Sequence, residues 1–231
     1  VARGEGPPTG IRLWLRILIL WSILVAVLFI PAGSLRWPEA WLFLGFYFSW
    51  SIPLVLWLQK HNPELLQERM KGPIQRDQKT WDKIFVAATM PSGIAFLVML
   101  GFDAVRYGWS NPPLYLKVIG FATLIPCGRL LSKVMRANSY LSKSVRIQDG
   151  HQVISTGPYA VVRHPMYVAV FAMLLAVPLA LGALYALIPA AVTAALMVLR
   201  TALEDRTLQR ELPGYREYSE RVRYRLVPGV W

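Results

Sequence analysis

Three stretches of this chain run for about a membrane's depth without a single charged side chain. They are Ile17 to Leu35, Ala40 to Gln59 and Ile84 to Phe102, of 19, 20 and 19 residues. A helix needs about 20 apolar residues to cross the hydrocarbon core, and only helices or closed barrels satisfy their backbone groups there. Few folds tolerate such runs in water. A fourth, Val118 to Gly128, is bounded by Lys117 and Arg129. It reaches span length if Lys117 snorkels and Arg129 faces protein or water. The fifth, Met166 to Leu199, is uncharged for 34 residues, about 51 Å as a helix. That is too long for one upright span and slightly short for two. Pro178, Gly182 and Pro189 lie in its middle, so a tight helical hairpin is expected that need not reach the far leaflet. The first apolar run reads as a retained helix rather than a cleaved signal.

The fold class expected is an all-α integral membrane protein. Four transmembrane helices (about 13–35, 39–59, 83–103 and 113–133, with a loop at 60–82) make up 1–135. Residues 136–231 form a cofactor-binding core, with the hairpin at 165–203 and a C-terminal cap at 204–231. Of the 25 Lys and Arg, the N-terminus, the 60–83 loop, 133–163 and the tail from Arg200 carry 21. The positive-inside rule then puts both termini and these segments in the cytoplasm, at a bacterial inner membrane or the endoplasmic reticulum. In so apolar a chain the net charge of +12 points to topology, and no nucleic-acid partner is expected. One cysteine, Cys127, and three histidines offer little for thiol chemistry or a metal site, and none is assigned.

Three polar stretches share that side. In the first, Asn62-Pro63-Glu64 turns the chain into a short helix containing Leu65, Leu66 and Met70; the bland reading is a solvated loop. The second runs from Ser144 to Tyr167. Asp149-Gly150 and Gly157-Pro158 mark turns, with the β-branched run Val153 to Thr156 extended between them. Pro165 suits the first turn of a helix, with His164 near the cap. The helix dipole and the Arg163 charge make its mouth positive and suited to a carboxylate or phosphate. His164 and Tyr167 share a face there. Equally, Arg163 and His164 could be ordinary interfacial anchors. The third stretch is the tail. Glu204 ends the apolar helix near Arg163, able to meet a ligand's ammonium or ribose hydroxyls, or simply to pair with Arg163. The basic, aromatic end reads as a cap on anionic lipid.

The pattern Gly150-His151-x-Val153-x-x-x-Gly157-Pro158-Tyr159-x-x-x-Arg163-His164-Pro165-x-Tyr167 resembles the isoprenylcysteine carboxyl methyltransferase family and the related phospholipid N-methyltransferases. So do Glu204-Asp205-x-x-Leu208, Gly214-Tyr215-x-x-Tyr218 and Arg223-Tyr224-Arg225-Leu226-x-Pro228-Gly229-x-Trp231. The likeness covers about the last 95 residues; earlier ones match only in being transmembrane. It implies an S-adenosylmethionine-dependent methyltransferase whose cytoplasm-facing pocket is roofed by the tail. His164 and Tyr167, helped by Arg163, would hold the methionine moiety. His151, Gln152, Val153 and the Gly157-Pro158-Tyr159 turn would lie along the nucleoside, and Glu204 would complete the site. Arg163 and Glu204 would carry the catalytic role. The chain has Asp205 where the family usually has Glu, and Ala169 where Gly is usual.

The implied acceptor is lipophilic, a prenylcysteine carboxylate or the like, reached through membrane lipid. A phospholipid amine or a small hydrophobic thiol or phenol stays open. Two rival readings remain. Sterol reductases, which use NADPH, share an Arg-His-Pro-x-Tyr block but carry a Trp pair where this chain has Gly157-Pro158-Tyr159. A non-catalytic membrane protein could retain the pocket as scaffold.

Overall fold

A computed structural model describes residues 11–72, 74–75, 78–141, 145 and 150–231. Eight α-helices hold most of these residues, which contain no strand. Of the expected Asp149-Gly150 turn, only Gly150 lies among them, with φ +69°.

Helices α1 (Ile11–Ala32), α2 (Pro38–His61), α4 (Thr80–Gly101) and α5 (Leu114–Ala137) correspond to the four expected spans. Each is long and apolar enough to cross a membrane. A fifth such helix is the second arm of the hairpin, Leu184–Glu211, so the described residues hold five candidate spans and one shorter apolar helix, Pro165–Leu181. The boundaries follow local chemistry. Gly33 stops α1 with φ +68°, and Pro38 and Pro63 occupy first-turn positions of α2 and α3 (Pro63–Met70). Asn62 serves both helices at once. Its N–H donates to Leu58 O at 2.8 Å, closing α2. Its side chain accepts from Leu65 N at 3.0 Å, capping α3.

The fifth apolar run breaks where glycine permits a left-handed residue. Gly182 (φ +77°) ends α6 (Pro165–Leu181), a 3-10 turn follows at Leu184–Ala186, and α7 runs from Leu187 to Glu211. Pro178 and Pro189 stay inside the arms. A π-helical turn, Phe102–Arg106, extends α4 toward this tip. There Asp103, wholly buried, accepts from Tyr185 N and from Ser110 Oγ, both at 2.8 Å. Ser110 in turn accepts from Leu184 N at 3.0 Å. The tip is thus bonded to the end of α4, and the hairpin penetrates as far as that span does.

Helix α5 packs against α6, α6 against α7, α7 against α4 and α4 against α1, with α2 beside α5. The α5–α6 contact is the closest. A Cβ on Gly120 would collide with Ala180 N and lie 2.7 Å from Ala176 O; small residues allow this approach, as in many membrane helix pairs. The Lys117 Nζ donates to Glu39 in the first turn of α2 at 2.6 Å. Arg129 is exposed. We expect Gly120→Ala to lower the melting temperature in detergent, an overpacking loss of about 1–3 kcal/mol. Gly45→Ala, with nothing within 4 Å, should leave it unchanged.

Candidate functional site

The helix mouth forms as its residues imply: α6 begins at Pro165, with His164 as its N-cap. Its surroundings differ from a bare cationic cradle. The backbone N–H groups of Arg163 and His164 donate to Tyr224 O and Arg225 O, both at 2.9 Å, so the tail lies directly over this start.

One carboxylate organises the assembly. Asp205, wholly buried, accepts from Arg163 Nε at 2.8 Å and Nη2 at 3.0 Å in a bidentate pair. It also accepts from Arg225 Nε at 2.8 Å, Gln209 Nε2 at 2.9 Å and Tyr215 OH at 3.1 Å. The His164 ring lies 3.4 Å away. The remaining edge of Arg163 donates to Val222 O and Arg223 O, both at 2.8 Å. Arg163 is therefore engaged by the protein itself, and its acidic partner is Asp205 rather than Glu204. The tail helix α8 (Tyr215–Arg221) is tied down further by Tyr218 OH, which donates to Tyr159 O at 2.7 Å. Burial, with the nearby Asp205 charge, keeps the Tyr215 hydroxyl well above the usual phenol range.

Beside this latch lies an open cavity of about 820 Å³, the solvent space at its mouth included. Its walls include eight of the nine expected residues: His151, Gln152, Val153, Tyr159, Arg163, His164, Tyr167 and Glu204. Gly157 is not in the wall. With φ +59° it opens the 3-10 turn Gly157–Ala160 that presents Tyr159.

Two chemical zones share the cavity. On one side the Tyr140 and His151 rings stack, 4.6 Å apart and 26° from parallel. Tyr140 OH donates to Gly150 O at 2.8 Å. His151 Nδ1 is buried with no hydrogen-bond partner among the described residues, and burial holds the imidazole below its ordinary pKa, hence neutral at pH 7. Asn138 Nδ2 donates to Tyr159 OH at 3.0 Å. Burial raises that hydroxyl to about 12, an effect the Asn138 bond partly opposes.

On the other side, Tyr167 OH donates to Glu204 Oε2 at 2.5 Å, and the Tyr167 ring stacks with His164 at 5.7 Å. Arg200, one helical turn before Glu204, lies over the Tyr167 ring at 5.9 Å and pairs with Asp82 at 3.1 Å. Glu204 itself has no cation within ion-pair distance among the described residues. Tyr167 also joins an apolar cluster with Phe85 of α4, Met197 of α7 and Leu226.

The geometry is that of a walled site able to hold a polar cationic ligand beside apolar helices. Residues 118–210 match the isoprenylcysteine carboxyl methyltransferase (ICMT) family. The matching segment starts within α5, ahead of the blocks that carry the sequence resemblance. It ends near the close of α7, before the Gly214-Tyr215 and Arg223–Trp231 blocks. All nine expected site residues fall inside it. No curated protein matches the chain at a significant level. The match points to a membrane methyltransferase.

Sequence reasoning passed over Asp205 as a bonding centre, and over Arg200, Asn138, Tyr140, Tyr215 and Tyr218 in the cavity wall. The available signal was helical spacing. Thr201 and Asp205 are four apart and both wholly buried, while Arg200 and Glu204 form the adjacent row on the cavity.

Removing the Asp205 charge leaves two buried or half-buried guanidinium groups without their carboxylate, which typically costs about 3–5 kcal/mol. We expect Asp205→Asn to melt earlier and to be cleaved faster by trypsin after the exposed Arg221 and Arg223. Glu204→Gln should match the wild type in both measurements.

Proposed function

We propose that the protein is an S-adenosylmethionine-dependent methyltransferase acting on a lipophilic acceptor of the prenylcysteine carboxylate kind, at the cytoplasmic face of its membrane. The observation that carries this reading is Glu204. A carboxylate held by Tyr167, with no cation in ion-pair contact among the described residues, on a cavity lined largely by the segment that matches the ICMT family suits a ligand bearing positive charge.

The donor's parts find complementary groups. Tyr140 and His151 offer a stacked platform for an adenine ring, and His151 Nδ1, without a partner among the described residues, is open to a nucleoside donor. His164 and Tyr167 are placed for the methionine portion, with Glu204 for its cationic centres. S-adenosylmethionine, when bound, supplies an electrophilic methyl group. With a carboxylate acceptor, an O–CH₃ bond forms as the S–CH₃ bond breaks and the electron pair stays on sulfur. No proton moves, so no general base is required. Glu204 and Tyr167 orient the reacting partners, while the latched tail excludes water. Arg163 acts by fixing His164 and the tail rather than by touching ligand. The apolar cluster of Phe85, Met197 and Leu226 beside Tyr167 gives a greasy chain its side of approach. The cytoplasmic placement rests on the Lys and Arg asymmetry, with membrane lipid as the surrounding partner.

The test is calorimetry with S-adenosylhomocysteine on the detergent-solubilised protein, followed by transfer of labelled methyl to N-acetyl-S-farnesylcysteine. Wild type should bind and transfer. Glu204→Gln should lose a charge-assisted contact, a drop of roughly ten- to hundredfold in catalytic efficiency. Undiminished transfer by Glu204→Gln would overturn the assignment of that carboxylate. A labelled phospholipid or thiol in place of the prenylcysteine would redirect the acceptor.

A further inference from the structure

The turn that follows α5 joins several parts of the molecule. Asn138 closes the helix, its N–H donating to Val134 O at 3.0 Å. Ser139 Oγ accepts from Asn62 Nδ2 at 2.9 Å, which fastens the turn to the junction of α2 and α3. Tyr140 stacks on His151 and donates to Gly150 O. Asn138 and Tyr140 line the cavity together with Tyr159.

The hydrogen-bond directions at Asn138 are fixed by chemistry. A backbone N–H can only donate, so the Asn138 atom 2.9 Å from Tyr140 N is the carbonyl oxygen, Oδ1. The other end of that side chain is then the amide nitrogen, which can only donate, and it lies 3.0 Å from Tyr159 OH. The Tyr159 oxygen is therefore the acceptor, and its own proton points elsewhere. Among the described residues none receives that proton.

The Tyr159 ring has little freedom to carry its hydroxyl away. It is buried, its carbonyl accepts from Tyr218 OH at 2.7 Å, and its N–H donates to Thr156 O at 3.2 Å. What remains is a phenol on the cavity wall with an unspent donor. A buried donor left unmatched is unfavourable, so the position calls for an acceptor on a ligand.

We propose that Asn138 is a positioning residue that commits the Tyr159 hydroxyl to donate, and that the nucleoside of the methyl donor supplies the acceptor, a ring nitrogen or a ribose oxygen. This rests on the methyltransferase reading and deepens it. The nucleoside is favoured over the amino-acid end because the same Asn138 amide also bonds the backbone of Tyr140. One side chain thus ties the stacking platform to the hydroxyl beside it.

Asn138→Asp reverses the direction of one bond while keeping the shape of the side chain. Aspartate still accepts from Tyr140 N, but its second oxygen cannot donate, so the Tyr159 O–H turns back to it and is withdrawn from the ligand. Calorimetry on the full chain in detergent would use S-adenosylhomocysteine and 5′-methylthioadenosine, a nucleoside without the amino-acid end. Tyr159→Phe and Asn138→Asp should each weaken both ligands by about tenfold, with Asn138→Asp melting as the wild type does. On top of Tyr159→Phe, Asn138→Asp should add nothing, because the donor it withdraws is already gone. A loss of the same size in both backgrounds reflects the added charge alone and overturns the positioning role. Undiminished binding by Tyr159→Phe overturns the role of its hydroxyl. Weakening confined to S-adenosylhomocysteine overturns the nucleoside assignment. A wild-type protein that binds neither ligand overturns the methyltransferase reading itself.

Discussion

The architecture of the site depends on one dehydrated carboxylate. Asp205 gathers donors from the approach to α6, from α7, from α8 and from the chain beyond it. None of these segments could close on the others through apolar contact alone, because each brings charged or polar groups inward. A single buried anion with two guanidinium partners resolves that conflict. It satisfies the charges mutually and fixes their directions, since a bidentate pair tolerates little rotation. Buried ion pairs contribute less to stability than their Coulomb energy suggests. Here the gain is geometric: the start of α6, and with it His164 and Tyr167, is held in one orientation beneath the tail.

This division of labour explains two adjacent acidic residues with unlike surroundings. Successive residues on a helix point about 100° apart. Asp205 faces the latch and is fully engaged, while Glu204 faces the cavity and is held by a phenol. The Arg200 charge, one turn earlier, is drawn toward Asp82 at the start of α4. Neutralisation is thus nearly complete in the scaffold and incomplete at the cavity, a distribution suited to a ligand that carries both signs of charge.

Much of the fold was legible because a bilayer punishes charge so heavily that uncharged runs mark spans without any knowledge of packing. The start of α6 was equally plain from Pro165, and the hairpin break from the flexibility of Gly182. Tertiary partners were less legible. That Arg163 would be consumed by Asp205 depends on which of two neighbouring acids faces inward, and linear order does not decide it. That Lys117 would meet Glu39 was hidden because the two lie 78 positions apart. Loop 60–82 looked like a solvated connection because its mixed charges conceal the buried pair Leu65 and Leu66. The depth of the hairpin was hidden for the same reason. Asp103, which anchors the tip, sits at the end of another helix.

The unequal arms of that hairpin bear on where the chemistry sits relative to the lipid. With 17 residues, α6 rises about 25 Å, short of a hydrocarbon core of roughly 30 Å. If the tip rests at the opposite interface, the mouth of α6 lies a few ångströms beneath the headgroups instead of above them. A fatty acceptor would then keep its chain in oil and need only lower its polar end slightly, rather than being lifted out into water.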